Sequence, residues 1–328
     1  MTKKCEVSKI KSLYETLDSC EKEGMAVNNT VDIWDQCNNW IIKWLEYCKN
    51  NKIMPHEFDF KKIALESIFD DQKYDNLLRW LKYKKSLDAD KLVFPIYYVL
   101  GWQNSIKDEI RGDTMNSFKT TLNELLKGNK VYWEGHTSDK TVPYLDDIYL
   151  EWASEWKING NFSGMIEDVP LFKDNKELIK TVNEFAALTH SLGNFIVMPV
   201  IRNINRGKGK NKDYWDLTLR DIRESFMSLE NGENLWKEYV DTFYLQPYVY
   251  KDTYKVAELW DGHFNKSVLP SEKSDFQQFY HNVNLLICER GKYMVKELCD
   301  KVHYRAPSEW NLGNISLDFF DEIQHKKN

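Results

Sequence analysis

A chain of 328 residues with 42% hydrophobic and 29% charged side chains can bury a sizeable core and is unlike a disordered protein. Its formal net charge of −6 excludes a generally basic, nucleic-acid-coating protein and leaves room for a local basic patch. Glycine (14) and proline (8) are scarce, whereas aromatics reach 14% and include 12 tryptophans. Few helix breakers with many bulky side chains predict helices packed on helices.

The lead MTKKCEVSKIKSLYETL has charges but no apolar stretch, which argues against a secretory signal. The longest apolar run, Leu92–Trp102, is too short for a bilayer and contains Pro95. A cytoplasmic location and no membrane partner are expected. The six cysteines (Cys5, Cys20, Cys37, Cys48, Cys288 and Cys299) form no C-x-x-C pair, and reduced core thiols are the expectation.

In chain order, a polar lead over 1–28 precedes a single helical domain over 29–328. Ile33, Trp34, Cys37, Trp40, Ile41, Trp44, Leu45 and Cys48 recur at three- and four-residue steps, predicting a helix from Asn29 to Lys49 capped by Asn29 or Thr30. Further helices are predicted at Phe60–Phe69, Tyr74–Leu87, Thr114–Leu126 and Tyr144–Trp156. Val93–Leu100 is a short apolar run and a strand candidate weakened by Pro95. A helix over Asn175–Ser191 follows, with Gly193 as its C-cap, and then a second strand candidate, Phe195–Ile201, weakened by Pro199. Helices at Asp216–Met227, Trp236–Leu245 and Ser274–Val302 complete a mainly α fold with a small β element. Most tryptophans follow the helical period and read as core.

One segment, Leu188–Phe226, stands apart. The run RNINRGKGKNK carries Arg202, Arg206, Lys208, Lys210 and Lys212 with no acidic residue, and Gly207 and Gly209 would let backbone N–H groups approach an anion. It leads into a helix for which Asp216 is a candidate N-cap and Thr218 with Asp221 a candidate capping box. Cations and orphan N–H groups at a helix start suit phosphate. The spacing lacks G-x-x-x-x-G-K-[ST], so a P-loop is excluded. A solvated loop, His190 held by a helix C-terminus, and Arg220 and Arg223 paired with Asp221 and Glu224 are the plain structural alternatives.

THSLGNFIVMP, N-I-N-R-G-K-G and DYWDLTLRDIR together resemble an uncharacterised family of bacterial proteins defined as a domain of unknown function, and that resemblance implies no activity. The stretch S-L-G-N-F-I-V-M-P…N-I-N also resembles the latter part of the HNH nuclease domain of some modification-dependent restriction enzymes and defence proteins. That resemblance implies functional asparagines at Asn194 and at Asn203 or Asn205. The chain departs from it upstream, where Glu134-Gly135-His136 and Pro143 have the wrong spacing.

Two function classes follow. The first is a phosphodiester- or nucleotide-directed enzyme, in phage defence or a toxin system, with nucleic acid or nucleotide as partner. His190 would be its general acid or base, and Asn194 and Asn205 would orient phosphate. Arg202, Arg206, Lys208, Lys210 and Arg220 would bind that phosphate, and Asp216 would act at the reacting centre, with Asp146 or Asp147 as a remote partner if Mg²⁺ is held. No histidine or carboxylate cluster with metal-ligand spacing is present, and the cofactor is left open. The second class is a non-enzymatic binding or regulatory protein that presents the same loop.

Overall fold

The computed structural model describes residues 33–60, 93–102, 112–118, 121, 175–198, 214–266, 270, 272–313 and 315. The polar lead, nearly all of the helices expected between Phe60 and Leu87, the helix expected at Tyr144–Trp156, and the basic loop lie outside them. The fold is mainly α, and among the described residues the strands form one small antiparallel sheet. Among the described residues no helix is long and apolar enough to cross a membrane.

Helix α1 (Ile33–Asn50) buries Cys37, Trp40, Ile41, Trp44, Leu45 and Cys48, the stripe set by its three- and four-residue steps. It ends where Lys52 turns left-handed (φ 54°) and the Ile53 N–H reaches back to the Cys48 carbonyl at 2.9 Å, a closure that satisfies orphan carbonyls. Helix α2 (Phe94–Val99) packs on α1, with Tyr98 edge-on to Trp34 at 5.9 Å. This corrects the strand expected at Val93–Leu100. Pro95 sits in the first helical turn, where its missing N–H has no partner to lose and its fixed φ suits the helix.

Strand β1 (Gly112–Thr114) pairs antiparallel with β2 (Phe195–Val197), Asp113 opposite Ile196. The strand expected at Phe195–Ile201 is thus present over its first residues. Thr114, expected to start a helix, belongs to β1 instead, while Phe118 and Thr121 are helical. Helix α3 (Lys176–Leu188) is capped by Asn175, whose side chain accepts the Leu178 N–H at 3.2 Å. Helices α4 (Trp215–Met227) and α5 (Gly232–Thr242) pack together as a hairpin turned at Asn231 (φ 57°). The short α6 (His263–Lys266) precedes the long α7 (Lys273–Lys301).

Helix α7 is a shared support for several of the described elements. It packs against α3 and against three short 3-10 turns, Leu192–Asn194, Pro55–Glu57 and Gln246–Tyr248. The closest approach corrects the C-cap expected at Gly193. That residue lies inside the Leu192–Asn194 turn, and a Cβ there would fall 1.8 Å from the Ile287 carbonyl oxygen and 2.8 Å from the Gly291 nitrogen. Glycine is needed for contact between backbones, not for a left-handed turn.

Arg290 locks the same junction. Its fully buried guanidinium donates to the carbonyls of Gly193 (2.8 Å), Phe195 (2.7 Å), Phe243 (2.9 Å) and Tyr244 (3.2 Å), and it lies 5.6 Å over the Trp102 ring. Burial pushes it down to about 10, so it keeps its charge at neutral pH, held by carbonyl dipoles and the Trp102 ring. Apart from Trp34, every described tryptophan is buried.

Candidate functional site at the start of α4

The backbone enters α4 through Tyr214, extended (φ −72°, ψ 117°) and without a side-chain cap. Asp216 therefore stands inside the first turn rather than at the N-cap. Its Oδ1 accepts the Leu217 N–H at 2.9 Å, and its Oδ2 accepts the Leu259 N–H at 3.1 Å. The same Oδ2 lies 2.6 Å from His263 Nδ1. Both side chains are fully buried.

With the Asp216 carboxylate as acceptor, Nδ1 is the donor and Nε2 is the ring nitrogen left over. His263 Nε2 has no hydrogen-bond partner among the described residues. The imidazole is held as well as oriented. Trp260 stacks on it with centroids 3.2 Å apart, Phe264 lies 5.7 Å away, and Tyr214 meets it edge-on at 6.1 Å. Trp260 Nε1 is likewise buried with no partner among the described residues.

The turn carrying His263 is braced on both sides. Glu258 takes the Gly262 N–H at 3.3 Å and the Phe264 N–H at 3.1 Å, and Gly262 supplies the left-handed φ of 74°. From α7, Asn282 donates to the Leu259 carbonyl at 2.7 Å. Asp216, on α4, thereby meets a histidine 47 positions later through a turn that α7 helps to hold.

Thr218 is buried inside the helix with its hydroxyl unpartnered among the described residues, and its N–H goes to the Tyr214 carbonyl. The capping box expected with Asp221 is not formed. Arg220 lies over the Phe264 ring at 4.6 Å. Neither Arg220 nor Arg223 pairs with a carboxylate among the described residues, so the surface ion pairs with Asp221 and Glu224 are absent too.

The other expected site residues are placed differently. His190 is buried just after α3, and its carbonyl accepts the Phe60 N–H at 3.0 Å. Asn194 is fully buried and spends its amide on backbone. Its Oδ1 accepts the Asn116 N–H, and its Nδ2 donates to the Asn116 and Thr189 carbonyls, each at 2.9 Å. Those bonds tie the end of α3 to the chain just beyond β1. Arg202, Asn203, Asn205, Arg206, Lys208, Lys210 and Lys212 lie outside the described residues, as do Glu134, His136, Asp146 and Asp147.

Sequence reasoning singled out Asp216 but not its partner His263, which sits in WDGHF without a metal-ligand or catalytic spacing. The only local signal there is an Asp-Gly turn flanked by aromatics, and it says nothing of a partner on α4. Among the described residues no three His, Cys, Asp or Glu side chains group as metal ligands. Comparison with protein-family models, with curated proteins and with solved structures yields no match.

Proposed function

We propose that this protein binds a phosphate-bearing ligand, a nucleotide or nucleic acid, at the start of α4 and acts on it through Asp216 and His263. The observation that carries this reading is the 2.6 Å Asp216–His263 pair with Nε2 unpartnered, on the helix that the basic loop of Arg202, Arg206, Lys208 and Lys210 enters directly. A carboxylate that orients an imidazole through one nitrogen leaves the other to take or give a proton. In this reading His263, oriented by Asp216, takes the acid–base role expected of His190. Loop cations and Arg220 would neutralise phosphate. Cleavage of nucleic acid would suit phage defence or a toxin system.

The complete burial of both side chains favours a second reading, a non-enzymatic binding protein in which the pair only ties α4 to the Glu258–Phe264 turn. The test pairs binding with turnover. Labelled single-stranded RNA and duplex DNA are titrated at low and moderate salt, then incubated with Mg²⁺, for wild type, His263→Gln, and Arg206→Glu with Lys208→Glu and Lys210→Glu. The enzyme reading expects salt-sensitive binding lost in the loop variant, and cleavage lost in His263→Gln with binding kept. Binding without cleavage in wild type would leave the tie. No binding by wild type would sink both.

A further inference from the structure

Four large apolar side chains stand exposed among the described residues, and three of them, Met227, Leu229 and Leu235, gather at the turn between α4 and α5. Leu229 is 55% exposed. Single exposed apolar residues are ordinary, whereas a group on one turn marks a contact surface. The turn that carries them is pinned. The Leu229 N–H donates to the Phe226 carbonyl at 2.9 Å, the Gly232 N–H to the Leu229 carbonyl at 3.1 Å, and the Ser228 hydroxyl to the Ser225 carbonyl at 2.7 Å. A Cβ on Gly232 would fall 1.9 Å from the Phe226 carbonyl oxygen, so α5 starts hard against the end of α4. A backbone fixed in this way offers its apolar side chains to a partner at little further ordering cost.

We propose that this turn docks a basic amphipathic helix of a protein partner. Charge selects the occupant. Glu224 on α4, Glu230 in the turn, and Glu233 and Glu238 on α5 flank the apolar group in the chain, and all four are exposed. Glu233 is paired with Lys237 at 3.1 Å, whereas Glu224, Glu230 and Glu238 make no ion pair among the described residues. The other cations of the two helices, Arg220 and Arg223, are half-buried. An acidic border repels nucleic acid and anionic lipid and attracts lysine and arginine. An amphipathic helix has the matching form, an apolar stripe at i, i+3/i+4 and i+7 that spans about 10 Å, with long cationic side chains along its margins. The basic run precedes α4 in the chain and this turn follows it, with a helical rise of about 20 Å between them. The docking surface therefore stands whether or not that run binds phosphate.

The experiment measures fluorescence anisotropy of two synthetic amphipathic helices, one of leucine and lysine and one of leucine and glutamate, at low and moderate salt. The proteins are wild type, Leu229→Ser, and Glu230→Lys with Glu238→Lys, each checked for folding by circular dichroism. Wild type should bind the leucine–lysine helix and not the leucine–glutamate one, with affinity that falls as salt screens the exposed charges. Leu229→Ser should weaken binding by about tenfold or more, the loss of one buried leucine contact. The charge reversal should shift preference towards the leucine–glutamate helix. Should Leu229→Ser unfold the protein, Met227→Ser carries the same test. No binding of the leucine–lysine helix, equal binding of both helices, or binding unchanged in the serine variant overturns the proposal. So does a wild-type dimer in sedimentation, or binding to phosphatidylglycerol vesicles, that Leu229→Ser abolishes, since either gives the turn to another occupant.

Discussion

His56 lies in the Pro55–Glu57 turn, 4% exposed, with its Cβ against Gly291 of α7. Burial, aided by the positive charge of Lys292, pushes its imidazole from the ordinary 6.5 down to about 4. Between those values the unfolded chain holds a proton that the folded protein does not, so stability falls as pH drops from 6.5 towards 4 and levels off below. At about 1.4 kcal/mol per unit the loss is at most about 3.5 kcal/mol. Thermal melts across that range should show wild type losing stability relative to His56→Gln, and parallel curves would refute the assignment. At this scale the sequence was a partial guide. Asp216 stood out because it follows a basic loop at a helix start. His263 did not, because a histidine's partner is decided by folding, and nothing in WDGHF points to α4. Asn194 was legible as a special residue, yet its amide proves to be spent on the backbone of Asn116 and Thr189.

Helix periodicity was the reliable signal among the elements. The steps of Trp40, Trp44 and Cys48 and of Phe276, Phe279, Val283 and Leu286 mark buried stripes in α1 and α7, and Asn175 caps α3 as its residue type favours. Short apolar runs were not decidable locally, since Phe94–Val99 and Phe195–Val197 are both apolar and aromatic, yet one is a helix and the other a strand. Pro95 suits a first helical turn, whereas Phe195 pairs only because Thr114 is brought opposite it. Gly193 shows the same limit, with a visible glycine and an invisible reason. Gly193→Ala would drive a methyl into the Ile287 carbonyl, and a loss of about 3 kcal/mol or more is expected from such overpacking. Urea titration of the variant checks this. Stability within about 0.5 kcal/mol of wild type would mean the turn and α7 separate more easily than the structure implies.

Among the described elements α7 gathers three short turns and α3 around it, with Arg290 holding the ends of β2 and α5 from within. The same enclosure governs the thiols. Cys37, Cys48, Cys288 and Cys299 are all free, as their spacing and the chain's size led one to expect. Burial pushes Cys288 and Cys299 up to about 12 and raises Cys48 as well. Because the thiolate is the reactive form, native protein treated with iodoacetamide at neutral pH should leave these three unmodified by peptide mass spectrometry, and urea should expose them. Rapid native labelling of any of them would contradict the packing. The sequence by itself determined the helical class, the buried stripes, the spans of α1, α3, α4 and α7 and the distinctive run into α4, because propensity and periodicity act over a few neighbouring residues. Only the tertiary structure decided that Asp216 meets His263, that Gly193 lies against α7, and that the charge of Arg290 is held by backbone carbonyls. Each of those depends on residues dozens of positions apart meeting in space, and no local pattern encodes that meeting.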